Sequence, residues 1–300
     1  MKIGLVTITF NSADVLPEFL DSVAKQTYQK FCLYVVDNAS SDNTIQEYES
    51  RKRENYQLIT NKNNLGVAAG NNQGIKKALS EDCDFVLLIN NDTVFEEKLL
   101  QKLIDAHHQY GSSIITPKMM YHDPNNVIWY AGGFFDRKKA WLNYHRGQNE
   151  FDKGQFQEND LIEYAPTSCA LIHRDVFDDV GLMDEKYFVY FDDTDFFYRF
   201  VKNGKHEARY INDVQFYHKV GSLTKSRTKE EHFKHGDFFI KQMTCNQIYY
   251  LKKQKKLYAY LYVLYFILAV QLRFFFSGKY HRNWRTFILI QQSIFKGVRL

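Results

Sequence analysis

The chain has only four cysteines in 300 residues, Cys32, Cys83, Cys169 and Cys245, and they are far apart, with no CxxC pair among them. That argues against a zinc site and a disulfide framework and favours buried thiols in a reducing compartment. The N-terminus, "MKIGLVTITFN", lacks the apolar core and small-residue cleavage site of a signal peptide. It reads as a first strand, so the protein is expected in the cytoplasm. There is no internal repeat and no low-complexity segment. Acid is missing from one region altogether: the last acidic residue is Asp237, and residues 238–300 hold 11 Lys or Arg. The first 237 residues carry the other 28 basic residues against 35 acidic ones, a balance of −7. An acidic body with a basic, aromatic tail points to an anionic surface met by the tail only.

With 45% hydrophobic and 16% aromatic residues, the chain can bury a sizeable core. Its first 116 residues alternate strand and helix signals. "KIGLVTI", "CLYVV", "QLIT", "FVLLI" and "SIIT" are apolar runs of strand length. Between them, "ADVLPEFLDSVAKQT", "SSDNTIQEYESRK", "GVAAGNNQGIKKALS" and "EEKLLQKLIDAHHQY" have helical character. Repeated βα units predict an α/β fold, a mostly parallel central sheet with helices on both faces. From Lys118 to Tyr164 turn signals dominate, predicting irregular or antiparallel structure over the sheet. A second ordered block, 165–218, contains the strand "CALIH", the short helix "RDVFDDVG" and a helix starting near Asp195. The polar run "KVGSLTKSRTKEEH" predicts a mobile loop. In the tail, residues 257–276 are about as long as a bilayer span. Gln271, Arg273 and the dense tyrosines suit a helix lying in the headgroup region better than a span. An ordinary helix packed on the body or on a second subunit is a further possibility. Lipid is therefore expected as the anionic partner, and nucleic acid is not.

Ligands of open α/β sheets bind outside the carboxyl ends of the strands. Three such ends are rich in small polar groups: "TITFN" (Thr7, Thr9, Asn11), "VVDNASSD" (Asp37, Asn38, Ser40, Asp42) and "NNDT" (Asn90, Asn91, Asp92). These side chains suit a base or ribose, and one carboxylate suits a divalent cation. The competing reading is that they cap the following helices. The run "NKNNLGVAAGNNQGI" adds Asn64, Gly66, Gly70, Asn71 and Gly74 without forming GxGxxG, so a dinucleotide fingerprint is absent. Gly70 and Gly74 serve equally well as sites of close helix packing. In "GLMDEKYFVYFDDTDFFYR", Asp184, Asp192, Asp193 and Asp195 crowd among aromatics, where burial would raise a carboxyl pKa toward that of a general base. Asp195, one turn before Arg199, is more simply an ion-pair residue. His218 in "FYHKVGS" is a candidate third metal ligand if it folds near Asp92.

In this order the motifs resemble those of family 2 glycosyltransferases. "VTITFN", "VVDNASSDNT", "NLGVAAGNNQGI", "LLINNDT", "CALIHRDVFDDVGLMDEKYFVYFDDTDFFYR" and "YHKVGS" carry the likeness over residues 1–221. It is nearest to the bacterial rhamnosyltransferase and galactofuranosyltransferase branch of surface polysaccharide synthesis. The resemblance implies a GT-A fold, with residues 1–237 as the catalytic domain (1–116 for the nucleotide sugar, 117–237 for acceptor and catalysis). The basic helical tail, 238–300, would follow, placing the protein at the inner face of the cell membrane. It implies an inverting transfer from a dTDP- or UDP-sugar, assisted by Mg²⁺ or Mn²⁺, to a glycan or polyprenyl-diphosphate-linked acceptor. By the same likeness Asp193 is the base and Asp92 and His218 hold the metal. Asn90 lies near the ribose or metal, and Thr7, Thr9, Asn11, Asp37 and Asn38 hold the nucleoside. Asn64, Gly66, Asn71 and Asn91 complete the donor site. Asn90 replaces the usual first Asp of the metal motif, and Asp192 replaces the commoner Glu. A nucleotidyltransferase would carry a Gly-rich basic loop after "VTITFN", which is missing. A non-catalytic sugar-binding module would have no use for Asp193.

Overall fold

The computed structural model describes residues 1–219, 236–277 and 280–300. All but the first residue of the predicted mobile loop, 219–232, lies outside them. The first half folds as βα units: β1 (Ile3–Thr9), α1 (Leu16–Ala24), β2 (Phe31–Asp37), α2 (Thr44–Arg51), β3 (Tyr56–Thr60), α3 (Val67–Ser80) and β4 (Phe85–Ile89). Helix α1 starts with Pro17 in its first turn, where the missing N–H costs nothing, and buries Leu16, Phe19, Leu20 and Val23. Helix α3 lies close on β1 because Gly74 faces it. A Cβ there would stand 2.2 Å from a Val6 methyl, and one at Gly70 would stand 3.2 Å from Ile8. The glycines of this run are thus used for packing.

Two features depart from the pattern read in the sequence. The helix expected to start at Glu96 begins as α4 at Leu99 (Leu99–Tyr110), because Thr93–Phe95 forms a strand, β5. Its two β-branched residues and a phenylalanine favour extended backbone, and Phe95 stacks on Phe216 at 5.9 Å. The remaining elements of the body are β6 (Ile114–Pro117), β7 (Met119–Tyr121), β8 (Ile128–Tyr130), β9 (Gly133–Asp136), β10 (Leu142–His145), β11 (Leu161–Ile162), β12 (Cys169–His173), α5 (Arg174–Val180), α6 (Asp192–Asn203), β13 (Ala208–Ile211) and β14 (Phe216–His218). The second departure is β12, which inserts between β4 and β6 and runs antiparallel to both. The eight-stranded sheet therefore has the order β11-β13-β6-β12-β4-β1-β2-β3, parallel from β4 to β3 and mixed beyond. Within the middle segment β7 pairs with β8 and β9 with β10, both antiparallel as expected there, and β7 also joins β14 in parallel in a smaller sheet of order β5-β14-β7-β8.

The tail forms three helices, α7 (Asp237–Lys253), α8 (Leu257–Phe276) and α9 (Trp284–Arg299). Helices α7 and α9 approach closely at Gly297, where a Cβ would lie 2.6 Å from the Cys245 carbonyl. Their apolar faces build a second core from Ile240, Ile248, Val263, Phe266 and Ile290, and Tyr187 and Phe191 of the body join it. Among the described residues α8 is long and apolar enough to cross a membrane. Leu257, Leu261, Leu264, Leu268 and Phe276 on it are exposed.

Candidate functional site

The register of β5 against β14 sets the first part of the site. Thr93 pairs with His218, so the residue before Thr93 meets the end of β14. His218 Nε2 stands 3.1 Å from Asp92 Oδ1, and Lys219 N–H donates to the Asp92 carbonyl at 2.8 Å. Both side chains are largely buried. The His218 Nδ1 is also buried, with no partner among the described residues, and the edge-to-face ring of Trp129 lies 4.5 Å away. A carboxylate and an imidazole nitrogen side by side fit a divalent cation such as Mg²⁺ or Mn²⁺. Among the described residues no group of three His, Cys, Asp or Glu gathers to hold one unaided.

The other strand ends interlock. Thr9 donates to Asp37 at 2.8 Å, and Asp37 also accepts from the Ser40 amide and hydroxyl. Asn11 adopts φ 51°, and its side chain accepts from Ser41 N–H. Asn38 donates to the Gly66 carbonyl at 3.1 Å. Asn91 ties the end of β4 to the Ile8 carbonyl and Ser12, while Asn90 donates to Ser168 Oγ at 3.1 Å. Thr7 Oγ1 and Asn91 Oδ1 are buried without a partner among the described residues. The N-cap residues of the helices after these ends, α1, α2 and α4, make no side-chain cap bond, and of the polar groups only Asp42 serves a helix start, accepting from Thr44 N–H at the first residue of α2 at 3.0 Å. In the glycine-rich run, Asn64 accepts from Gly66 N–H. Gly66, at φ 84°, touches Phe188 so closely that a Cβ would come 2.3 Å from its carbonyl oxygen. Asn71 and Asn72 are both turned to Met183. This run grips the loop 181–191 that leads into α6.

That loop delivers the acids. Helix α6 begins at Asp192, three residues ahead of the start expected near Asp195, and its N-cap is Phe191 with no side-chain cap bond. Asp195 is buried and paired with Arg199 at 2.9 Å and Lys253 at 2.8 Å, the structural role expected of it. Asp192 and Asp193 instead line a cavity of about 510 Å³ together with Asn90, Ser168, His145 and Tyr164. The cavity therefore brings together Asn90 at the β4 end and the α6 carboxylates Asp192 and Asp193, 102 and 103 positions later. Asp193 accepts from Tyr164 Oη and from the Thr194 amide, both at 2.6 Å. Trp129, His145 and Tyr164 were not singled out by sequence pattern. They come from the turn-rich middle segment, where aromatic density is the only signal, and they form a ring array reaching from His218 to Asp193.

Burial raises the pKa of both carboxyls. Asp192 is pushed up further by the neighbouring Asp193 charge, whereas Tyr164 and Thr194 donate to Asp193 and favour its ionised form. Asp193 thus ionises ahead of Asp192. Tyr164, raised by burial and then by Asp193, stays a proton donor. One half-buried carboxylate aimed into a cavity, with raised proton affinity, is the arrangement of a general base.

A mixed sheet of this order, with a carboxylate site at the strand ends, defines the GT-A class of glycosyltransferase fold. Residues 5–181 match the model of glycosyl transferase family 2, and the chain belongs to that family. It is 29% identical over 168 residues to the low-salt glycan biosynthesis hexosyltransferase Agl10 of Haloferax volcanii, covering 55% of this chain and 52% of that protein. The chain thus spans about half the length of that relative. It is 24% identical over 224 residues to the N-acetylglucosaminyl-diphospho-decaprenol L-rhamnosyltransferase of Mycobacterium tuberculosis, covering 67% and 70%. Among solved structures, Staphylococcus aureus TarS 1-349 with UDP aligns at TM-score 0.53 and 18% identity over 92% of this chain and 73% of that one. A Pyrobaculum calidifontis mannosyltransferase with GDP-Man and Mn²⁺ aligns at 0.57 and 15% over 99% and 86%.

Burial pushes the His145 pKa down to about 4, against about 6.5 in an unfolded chain. Between those values the unfolded chain binds the extra proton, so stability falls as pH drops through this window. Urea unfolding from pH 7 to 4 should show wild type losing stability more steeply than His145→Gln. Parallel curves would contradict a buried neutral imidazole.

Proposed function

We propose that the protein moves a sugar, rhamnose or a similar hexose, from a dTDP- or UDP-sugar to a glycan or polyprenyl-diphosphate-linked acceptor in surface polysaccharide synthesis. The observation that carries this reading is a single cavity lined by Asn90, two residues from Asp92, and by the Asp193 carboxylate. Asp193 takes the proton of the acceptor hydroxyl as its oxygen bonds to the anomeric carbon. The bond from that carbon to the diphosphate breaks, and its electron pair leaves with the nucleoside diphosphate. Attack on the face opposite the leaving group inverts the anomeric centre. Asp92 and His218 would hold Mg²⁺ or Mn²⁺, a Lewis acid that offsets charge on a leaving diphosphate. Thr7, Thr9, Asn11, Asp37 and Asn38 frame the nucleoside, Asn64, Gly66, Asn71 and Asn91 hold that frame, and Asn90 faces the donor. The domain assignment follows: 1–116 for the donor, 117–237 for acceptor and catalysis, 238–300 as the basic helical tail. The named activity of the mycobacterial relative, the UDP bound to TarS and the Mn²⁺ bound to the mannosyltransferase support this reading.

The tail would rest on the inner face of the membrane. Supporting this, α8 exposes large apolar residues, and 238–300 holds 11 basic residues and no acid. Such a surface suits anionic headgroups and acyl chains together.

Asp193→Asn should lower turnover by at least about 10²-fold, the usual scale for a lost general base, with donor affinity kept. Wild-type turnover in that variant would remove Asp193 from the chemistry. In a thermal-shift screen of UDP- and dTDP-sugars, Mn²⁺ should strengthen donor stabilisation of the native protein and fail to do so in Asp92→Ala. An equal Mn²⁺ effect in both proteins would sink the metal assignment. For the tail, Leu261→Asp/Leu264→Asp/Leu268→Asp should release the protein from vesicles containing phosphatidylglycerol. Undiminished co-sedimentation would show that α8 is not the contact.

A further inference from the structure

Helix α7 directs its inward polar side chains at the catalytic half. Asn246 Nδ2 donates to the carbonyls of Val189 at 2.8 Å and Tyr190 at 3.0 Å. Tyr249 Oη donates to Asp184 at 2.8 Å, and Lys253 bridges Asp184 at 2.7 Å and Asp195 at 2.8 Å. Gln254 donates to the Ala140 carbonyl at 2.9 Å. Met243 and Gln247, on the same helix, line the cavity that contains Asp193. Asn246 is only 2% exposed and sits in the middle of this set.

The segment that Asn246 grips is unusual. Tyr190 and Phe191 are consecutive non-glycine residues at φ 65° and 68°, directly before Asp192 and Asp193. Side-chain-bearing residues rarely adopt this left-handed conformation, and they persist in it only where surrounding structure enforces it. The first turn of α6, and with it the 2.6 Å contact of Asp193 with Tyr164, depends on both residues staying there. An asparagine amide has two N–H donors, so one side chain satisfies the two carbonyls that precede the turn.

We propose that Asn246 is a positioning residue for the Asp193 base: its amide holds the left-handed Tyr190–Phe191 turn, so the tail is part of the catalytic machinery. This rests on the reading of Asp193 as the base. Both N–H groups of the Asn246 amide are taken up by the Val189 and Tyr190 carbonyls, so its effect on the reaction passes through the turn.

The test uses the full-length chain and hydrolysis of dTDP-rhamnose and UDP-N-acetylglucosamine with Mn²⁺, with water as acceptor. Asn246→Ala, and Asn246→Leu, which keeps the side-chain volume, should lower kcat roughly ten- to hundredfold. Donor KM should be unchanged, and the acid limb of the pH–rate profile should move. In a Tyr190→Gly background the loss from Asn246→Ala should shrink, because glycine holds the left-handed conformation without help. Wild-type kcat and pH profile in both Asn246 variants would overturn the proposal. An equal loss with and without Tyr190→Gly would do the same, as would a fall in kcat matched by the fall in folded fraction seen by circular dichroism. Loss of turnover in Asp193→Asn alongside any of these results would defeat the positioning role alone. Retained turnover in Asp193→Asn would instead defeat the base assignment beneath it.

Discussion

A buried loop has no ladder of its own, so every carbonyl and amide it brings inside must find a partner elsewhere. The stretch from Gly181 to Phe191 is such a loop in part: Met183, Tyr187 and Phe191 are buried while Glu185 and Lys186 are exposed, and the site depends on how the polar groups brought inside are satisfied. From one side α3 supplies them. Asn72 exchanges two hydrogen bonds with the Met183 backbone, and the Val67 amide donates to Phe188. From the other side α7 supplies them through Asn246, Tyr249 and Lys253. Gripped between these helices, the loop ends in two left-handed residues and releases Asp192 and Asp193 at the head of α6. Strain on the order of 1–3 kcal/mol for each such residue is offset by contacts that no single element could make.

The same placement sorts three neighbouring acids into three roles. Asp195 is neutralised by Arg199 and Lys253 and anchors α6 to α7. Asp192 is buried and pushed toward its protonated form. Asp193 keeps two donors and an opening to the cavity, so the charge settles on it. The positive end of the α6 dipole favours an anion at this position, in opposition to burial. A carboxyl of raised proton affinity that ionises ahead of its neighbour results from that balance.

Much of this was legible in the residues. The alternation of apolar runs and amphipathic stretches marked every element from β1 to β4. In the stretch with helical character after β1, Leu16, Phe19, Leu20 and Val23 form the buried face of α1. Asp195 and Arg199 pair at the spacing that suggested it. What was hidden depended on long-range contacts. The strand "CALIH" is apolar on both faces whichever way it runs, so its antiparallel insertion between β4 and β6 left no local signature. "TVF" was too short to separate from the helix that follows it. Trp129 and His145 sit on the local pairs β7-β8 and β9-β10 and Tyr164 on a bridge to Gly133, but their arrival beside Asp193 depends on how these pieces pack on the sheet, which no local pattern records. Asn246 looked like one polar residue in an aromatic tail, because the carbonyls it serves lie 56 and 57 positions earlier. The motif "NND" likewise divides only in three dimensions. Asn91 braces β1, Asn90 faces the cavity, and Asp92 meets His218.

The central claim is that one carboxylate, Asp193, drives a single displacement at the anomeric carbon. The anomeric configuration of the first-formed product, followed by proton NMR during turnover of an α-linked nucleotide sugar, tests it most directly. The account predicts a β-configured product from the outset. An α-configured first product would mean retention, and a lone base acting in one step could not produce it.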